Sequence, residues 1–172
     1  MTEGEPTRKL LYVVRHAIAQ PHGTPGVADD ARRLTPQGIR KFRKVALGVA
    51  RLGSFRVDRI VTSPLPRADE TARIVAAALG LESKLERDEA LSADRSADSI
   101  REWLQGRPES KLMIVGHNPS LSDLIGLLLT GSAQPGTFEM RKGAVACLSS
   151  LGDQGWRLEW FVRPRLLRKL AE

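Results

Sequence analysis

The chain is poor in cysteine and in long apolar runs. It has one cysteine among 172 residues, so no disulfide can form within it. Cys147 suits a reducing compartment, and its place in the run AVACL predicts a buried strand residue rather than a reactive thiol. No apolar run approaches the ~20 residues that a membrane-spanning helix needs. Residues 1–10 lack the apolar core of a secretory signal. We therefore expect a cytoplasmic protein without a membrane partner.

Aromatic residues are also scarce, at 5% of the chain, and they form no interleaved platform on which nucleic acid bases could stack. The formal net charge is +7, from 27 basic and 20 acidic residues. Such a balance attracts anions. Part of it lies in residues 163–172, which we predict to be a solvated basic C-terminal tail. We expect no nucleic acid partner, so the anions to consider are phosphorylated substrates.

Short apolar runs alternate with helical periods, and this pattern is typical of an α/β protein with a buried, mainly parallel sheet. A length of 172 residues fits a single domain over 1–172. The last two runs flank the turn GDQG and predict an antiparallel hairpin near an edge. The predicted strands are Leu10–Val14, Ile60–Thr62, Leu112–Val115, Ala144–Leu148 and Trp156–Val162, with a short one possible within 81–91.

Capping residues mark the predicted helices. Thr35-Pro36 opens the first helix, which Gly53 closes, and Ser63-Pro64 opens the second, which ends near Gly80. A third covers Ser96–Gln105. The fourth begins at the segment Gly116–Pro119 and runs to Gly131.

Three polar groups follow the first three strands, and ligands bind beyond the carboxyl ends of strands in such sheets. The groups are Arg15 with His16, Ser63 with Arg67, and His117 with Asn118. The arginines offer planar forks for phosphate oxygens, and helix N-termini after Ser63 and Asn118 offer N–H groups. No acidic cluster accompanies them, so we expect neither a metal nor another cofactor.

Histidine adds a nucleophile to this anion site. A neutral imidazole can attack phosphorus, and flanking arginines should lower the pKa of His16. Each piece taken alone has a simpler explanation: Arg67 as a surface charge, His117 as a buried polar residue, His22 as a loop residue or at most part of the rim. Their joint order favours a phosphate-transfer site.

Several segments resemble the histidine phosphatase superfamily: VVRHAIA (13–19), LTPQG (34–38), TSPLPRADETA (62–72), VGHNPSL (115–121) and GAVACL (143–148). They cover nearly the whole chain in the family order. The short length and GHNPSLSDL are most similar to the bacterial phosphohistidine phosphatase branch, the SixA type.

The resemblance implies a three-layer α/β/α sandwich like that of phosphoglycerate mutases. It also implies a metal-free reaction in which His16 accepts phosphate and Arg15, Arg67 and His117 complete the pocket. Ser63 and Asn118 are further phosphate-binding candidates. Where many members have glycine after the catalytic histidine, this chain has alanine, which we expect the backbone to tolerate if φ is negative.

A general acid has no distinctive motif here, and Asp94 and Glu89 are the weak candidates. Phosphohistidine has a good leaving group, so a pocket without an acid favours it as substrate. The expected function is removal of phosphate from phosphohistidine in a signalling protein. The alternatives are a small-molecule phosphatase of the same superfamily and a non-catalytic phosphate-binding module.

Overall fold

A single sheet of six strands forms the centre of the computed structural model, which describes residues 8–52, 56–133 and 135–172. The strands are β1 (Leu10–Arg15), β2 (Arg59–Thr62), β3 (Leu85–Arg87), β4 (Lys111–Gly116), β5 (Val145–Ser150) and β6 (Trp156–Val162). Their order is β3-β2-β4-β1-β5-β6. The first four of that order run parallel, and β5 and β6 form an antiparallel hairpin at one edge. The predicted mixed, mainly parallel sheet is confirmed.

Helices cover both faces of the sheet, which gives the predicted three layers. They are α1 (Pro36–Arg51), α2 (Pro66–Leu79), α3 (Ala97–Gln105), α4 (Ser120–Thr130) and α5 (Pro164–Leu170). Buried side chains of α1, α2 and α5 form one core with the sheet, and those of α3 and α4 form a second. Strand β1 serves both cores, since successive strand side chains point to opposite faces. Tyr12 and Val14 enter the first core, whereas Leu11 and Val13 enter the second.

Helix α1 begins as predicted, with the Thr35 hydroxyl accepting from the Gly38 N–H at 2.9 Å and proline at the first helical position. A Cβ at Gly38 would lie 2.0 Å from the Ile18 carbonyl oxygen, so only glycine lets α1 approach the segment after β1 this closely. The predicted end of this helix at Gly53 lies outside the described residues, and α1 as described ends at Arg51.

Helix α2 begins later than the sequence predicted. Ser63 and Pro64 were expected to open it, but Leu65 is the N-cap and Pro66 takes the first turn. Ser63 instead continues the line of β2, with its N–H donating to the Val115 carbonyl at 3.0 Å. Two prolines fit a helix start equally well by sequence, and the strand pairing of Ser63 decides between them. The end of α2 at Gly80, in a left-handed conformation, agrees with the prediction.

The C-terminal segment 163–172 is not a solvated tail. Residues Pro164–Leu170 form α5, which packs on α1, and Leu167 is fully buried between them. Gly48 makes this contact possible, because a Cβ there would lie 1.9 Å from the Leu167 carbonyl oxygen. Sequence alone could not predict this helix, because α5 has only seven residues and one buried leucine, and that is too little for a recognisable amphipathic pattern.

The predictions for Cys147, Ser96 and Gly131 agree with the structure. Cys147 is a buried residue of β5, and burial raises the pKa of its thiol to about 11, which makes it a poor nucleophile. Ser96 caps α3, and Gly131 ends α4 in a left-handed conformation. Within the described residues, no helix is both long and apolar enough to cross a membrane.

Candidate active site

The structure brings His16 and His117 together at the carboxyl edge of the sheet. His16 follows β1, His117 follows β4, and these two strands are neighbours. The His16 N–H donates to the Gly116 carbonyl at 3.0 Å, which extends the strand pairing to the histidine itself. The two imidazole rings lie 5.2 Å apart, centroid to centroid, and are tilted by 53°. The sequence order of the strands alone could not give this distance.

His16 is held in one orientation by its own backbone. Its Nδ1 lies 2.7 Å from the Ala17 carbonyl oxygen, which can only accept, so Nδ1 carries the proton and Nε2 the free electron pair. The Ala17 N–H donates to the Thr71 hydroxyl of α2 at 3.0 Å. Among the described residues, only glycines have positive φ, so alanine fits after the histidine without strain, as expected.

The pKa of His16 is lowered to about 3, first by burial and then by the positive charges of Arg67 and Arg15, against the opposing effect of the Ala17 hydrogen bond. The side chain is 5% exposed. The pKa of His117 is likewise lowered to about 3, first by burial and then by His16 and the arginines. Both rings are therefore neutral at physiological pH, and an electron pair is available on each.

Ser63 orients His117 in this structure. Its hydroxyl lies 2.9 Å from His117 Nε2 and accepts from the Leu65 N–H at 3.2 Å. A hydroxyl can either donate to Nε2 or accept from it, and His117 carries its proton on Nδ1 in the tautomer in which Ser63 donates. His117 Nδ1 is buried and has no hydrogen-bond partner. A phosphate contact of Ser63 itself stays a prediction.

Each of the two predicted arginines donates to a backbone carbonyl of a different loop. Arg15 Nη1 donates to the Met140 carbonyl at 2.6 Å, and Arg67 Nη1 donates to the Asp29 carbonyl at 2.8 Å. Arg67 is 2% exposed although it lies on the first turn of a helix. The buried Nε atoms of both arginines have no hydrogen-bond partner.

Asn118 belongs to the same edge. Its Nδ2 donates to the Met140 carbonyl at 3.2 Å, the same oxygen that Arg15 uses, and its Oδ1 is buried without a partner. The amide thus ties Arg15 to the loop before α4. Its predicted phosphate contact stays a prediction.

Three residues near the site were missed by the sequence analysis: Asp29, Arg32 and Lys142. Asp29 Oδ1 lies 2.7 Å from Arg32 Nε, and Asp29 Oδ2 lies 3.6 Å from Arg67 Nη2. The Arg32 side chain is only 12% exposed. Burial lowers the pKa of Lys142 most, and the positive charges of Arg15, Arg32 and Arg67 lower it as well. The Lys142 ammonium therefore lies close enough to these arginines to add to their positive potential. Arg32 and Lys142 each adjoin another basic residue in sequence, so the sequence does not show which residue of each pair faces the pocket.

His22 lies at the rim rather than in the pocket. Its Nδ1 is 2.6 Å from Asp29 Oδ1, and its side chain is 85% exposed. The candidate acids Glu89 and Asp94 are exposed as well. The Glu89 carboxylate accepts a hydrogen bond from the Ser92 hydroxyl at 2.8 Å. Within the described part of the chain, neither Glu89 nor Asp94 is hydrogen bonded to a histidine or arginine of the pocket. The structure gives neither carboxylate a role.

No group of three or more histidine, cysteine or carboxylate side chains suited to a metal ion occurs in residues 8–52, 56–133 and 135–172. The charge at this edge is cationic instead, from Arg15, Arg32, Arg67 and Lys142, with Asp29 as a partial counter-charge. Such a field favours an anion with several oxygens.

The chain is similar in sequence to a known protein family and to a cyanobacterial protein. The family model described as histidine phosphatase superfamily, branch 1, matches residues 11–93. An uncharacterised protein of Picosynechococcus sp. is 36% identical over 117 residues, which cover 66% of this chain and 68% of that protein.

Three solved structures illustrate the likeness in fold. A protein assigned as phosphohistidine phosphatase SixA, from Agrobacterium tumefaciens, has a TM-score of 0.74 and 23% identity, covering 94% of this chain and 100% of that one. The protein histidine phosphatase SixA in complex with tungstate has a TM-score of 0.75 and 22% identity, covering 92% and 99%. A mycobacterial glucosyl-3-phosphoglycerate phosphatase has a TM-score of 0.64 and 17% identity, covering 91% and 99%.

An α/β sandwich that gathers two neutral histidines among cations at the carboxyl edge of its sheet defines a class of phosphate-handling protein. The chain belongs to the histidine phosphatase superfamily, as the sequence predicted. Its predicted likeness to the SixA type is confirmed at the level of the fold.

Proposed function

We propose that the protein is a metal-independent phosphatase that removes phosphate from phosphohistidine in other proteins and carries it transiently on His16. The observation that supports this most is the buried His16 ring, with its proton fixed on Nδ1 and a pKa of about 3. A neutral imidazole held in that tautomer presents Nε2 as a nucleophile at physiological pH.

In the first step, the electron pair of His16 Nε2 attacks the substrate phosphorus in line. A bond forms between Nε2 and phosphorus while the bond from phosphorus to the substrate nitrogen breaks, and its electron pair stays on the leaving imidazole. Phosphohistidine protonated on its other ring nitrogen leaves as neutral imidazole. In the second step, water attacks the phosphorus, inorganic phosphate departs, and His16 regains its electron pair.

The cations of the site stabilise the phosphoryl group during this transfer. Arg15 and Arg67 each have a buried Nε without a protein partner, and such donors suit the equatorial oxygens of a transferring phosphoryl group. His117 adds its Nδ1–H, oriented by Ser63. In this proposal, the two arginines supply the positive charge that a metal ion supplies in many phosphatases.

The proposed substrate class rests on the leaving group. An alkoxide needs a proton in the transition state, whereas imidazole leaves without one. The two carboxylates that could supply a proton, Glu89 and Asp94, are exposed and make no hydrogen bond to the pocket. A SixA structure binds tungstate, a phosphate-like oxyanion, on the same fold. The lone buried Cys147 is compatible with the cytoplasmic location that we also propose.

The test uses EDTA, two substrates and two histidine variants. The purified protein is incubated with a phosphohistidine-bearing phosphotransfer domain and, separately, with p-nitrophenyl phosphate. We expect phosphohistidine hydrolysis to survive EDTA and to be lost in His16→Ala. The matched control is His22→Ala, which removes an exposed histidine and should leave the rate within about 3-fold of wild type.

Each other result would overturn part of the proposal. Strong preference for p-nitrophenyl phosphate or a sugar phosphate would favour a small-molecule phosphatase, like the glucosyl-3-phosphoglycerate phosphatase neighbour. No turnover of any phosphorylated compound, together with phosphate binding, would favour a non-catalytic module. Full activity of His16→Ala would remove the proposed nucleophile.

A further inference from the structure

The positive charge of the chain is concentrated on two helices that pack together. Helices α1 and α5 contain eight lysine and arginine residues and no acidic residue. The whole chain has 27 basic and 20 acidic residues, so the remaining 19 basic residues are slightly outnumbered by carboxylates. We call α1 and α5 the basic helix pair. Its cations are Arg40, Lys41, Arg43, Lys44, Arg51, Arg165, Arg168 and Lys169.

The basic helix pair also exposes leucines that the core does not use. Leu47, Leu166 and Leu170 are 50%, 57% and 45% exposed. Leu47 lies in a groove of about 450 Å³ between α1 and α2, with Arg43 and Arg73 at its rim. Apolar side chains framed by cations suit a partner surface that is both acidic and apolar. Nucleic acid, whose contacts to such a surface are mainly electrostatic, would leave the leucines unused.

This surface extends to residues that adjoin the active site. Lys41 of α1 and Arg168 of α5 line one recess together with Lys142 and Ala17. Ala17 is the residue after His16, and Lys142 shares the field of the pocket arginines. A protein resting on the basic helix pair would therefore lie next to the entrance of the pocket.

We propose that the basic helix pair is the docking surface for the phosphorylated protein substrate, and that it recognises an acidic, leucine-rich amphipathic segment of that protein. This inference rests on the proposed function, since it names the protein that the His16 site would act on. Complementary charge concentrates such a partner near the pocket and raises its association rate. The exposed leucines then supply contacts that persist when salt screens the charges.

The experiment separates docking from turnover. A fluorescent 15-residue peptide of Glu, Asp and Leu with one central histidine is compared with a peptide carrying Gln and Asn in place of the acids. Binding of the unphosphorylated peptides to His16→Ala measures docking alone. Hydrolysis of the phosphohistidine forms by the wild type, with p-nitrophenyl phosphate as a small substrate, measures turnover.

The key variant is Arg165→Glu with Lys169→Glu, both exposed on α5 and outside the pocket. The matched control is Arg101→Glu with Arg157→Glu, which changes the net charge equally on α3 and β6. We expect the acidic peptide to bind at least about 10-fold more tightly than the neutral one, with an advantage that shrinks as salt rises. The key variant should raise KM for the acidic phosphopeptide about 10-fold at unchanged kcat and leave p-nitrophenyl phosphate turnover unchanged.

Equal binding of the two peptides, or an unchanged KM in the key variant, would overturn the docking proposal. So would tighter binding to phosphatidylserine vesicles or duplex DNA than to the acidic peptide, each lost in the key variant. Failure of the proposed function has a different signature: the acidic peptide binds His16→Ala as expected, but its phosphohistidine form is not hydrolysed by the wild type.

Discussion

Two arginines of α2 lie less than two turns apart and have opposite environments. Arg67 is 2% exposed, and its Nε has no hydrogen-bond partner. Arg73 is exposed, and its Nε donates to Asp69 at 2.9 Å. Asp69 also accepts two hydrogen bonds from Arg87, at 2.8 and 2.9 Å. Asp69 therefore binds both exposed arginines, whereas Arg67 keeps unused donors inside the protein.

The difference shows that the fold accepts a loss of stability at the pocket and not at the surface. Burying a cation without a full set of partners costs free energy, and a protein retains such a group where a ligand uses it. The Asp69 cluster is partly exposed, so solvent screens its ion pairs and they contribute little to stability. The pocket and the Asp69 cluster can thus be separated by matched substitutions that move activity in one case and stability in the other.

The sharpest contrast is Arg67→Lys against Arg73→Lys. Lysine keeps the charge but loses the planar fork, so Arg67→Lys should lower kcat/KM for p-nitrophenyl phosphate about 100-fold. Arg73→Lys should leave kcat/KM within about 2-fold and change the free energy of unfolding by at most about 1 kcal/mol. Steady-state kinetics and urea unfolding of both variants give the comparison. Equal losses of activity would contradict the distinction between the two arginines.

A second contrast uses the two carboxylates, Asp29 and Asp69. The Asp29 carboxylate pairs with Arg32 and Arg67, so Asp29→Ala should free Arg32 and leave Arg67 with only its hydrogen bond to the residue 29 carbonyl, which should lower kcat/KM about 10-fold. Asp29→Asn keeps an acceptor for Arg32 Nε and should restore most of kcat/KM. Asp69→Ala should change stability rather than kinetics. If Asp29→Ala instead raised kcat/KM, the carboxylate would be competing with phosphate for Arg67.

The histidines make stability depend on pH in a defined direction. His16 and His117 have a pKa of about 3 in the folded protein, below the value near 6.5 of an unfolded chain. The unfolded state therefore binds more protons between these values, and stability falls as pH falls from about 6.5 toward 3. The expected slope is about 1.4 kcal/mol per pH unit for each histidine.

Urea unfolding between pH 7 and 5 measures this slope, and His117→Gln should remove about half of the histidine contribution. A wild-type stability that is flat between pH 7 and 5 would show that the buried rings are not held neutral.

The smallest expected effect concerns the candidate acids. Glu89→Gln combined with Asp94→Asn should leave phosphohistidine hydrolysis within about 2-fold of wild type, because the leaving imidazole needs no added proton. The same double variant should also keep its rate on p-nitrophenyl phosphate, because nitrophenolate likewise leaves without an added proton. A loss of several orders of magnitude on phosphohistidine would identify one of these carboxylates as a general acid.

The sequence predicted the layered fold because its signals are local. Apolar runs mark the strands, Thr35 and Ser96 mark helix starts, and Gly80 and Gly131 mark helix ends. Two helix predictions failed where tertiary contacts decide. The strand pairing of Ser63 moves the start of α2, and the close approach of α5 to Gly48 orders a segment too short to be helical alone.

The site was predicted in part for the same reason. His16, Ser63 and His117 could be placed by the ends of strands, because parallel strands bring those ends to one edge. Arg32 and Lys142 each have a basic neighbour in sequence, Arg33 and Arg141, and only the path of the loop decides which of each pair faces the pocket. The position of Asp29 depends on a hydrogen bond from Arg67 to its backbone carbonyl, and no sequence pattern predicts such a bond.

Capture of the phosphoenzyme tests the central claim most directly. Wild-type protein is mixed with a phosphohistidine-bearing phosphotransfer domain, quenched in alkali within milliseconds to preserve phosphoramidates, and fragmented for mass spectrometry. The account predicts a phosphoryl group on His16 that appears before free phosphate and is absent from His16→Ala. Phosphate release by the wild type with no phosphoryl group on His16 at any time would contradict it.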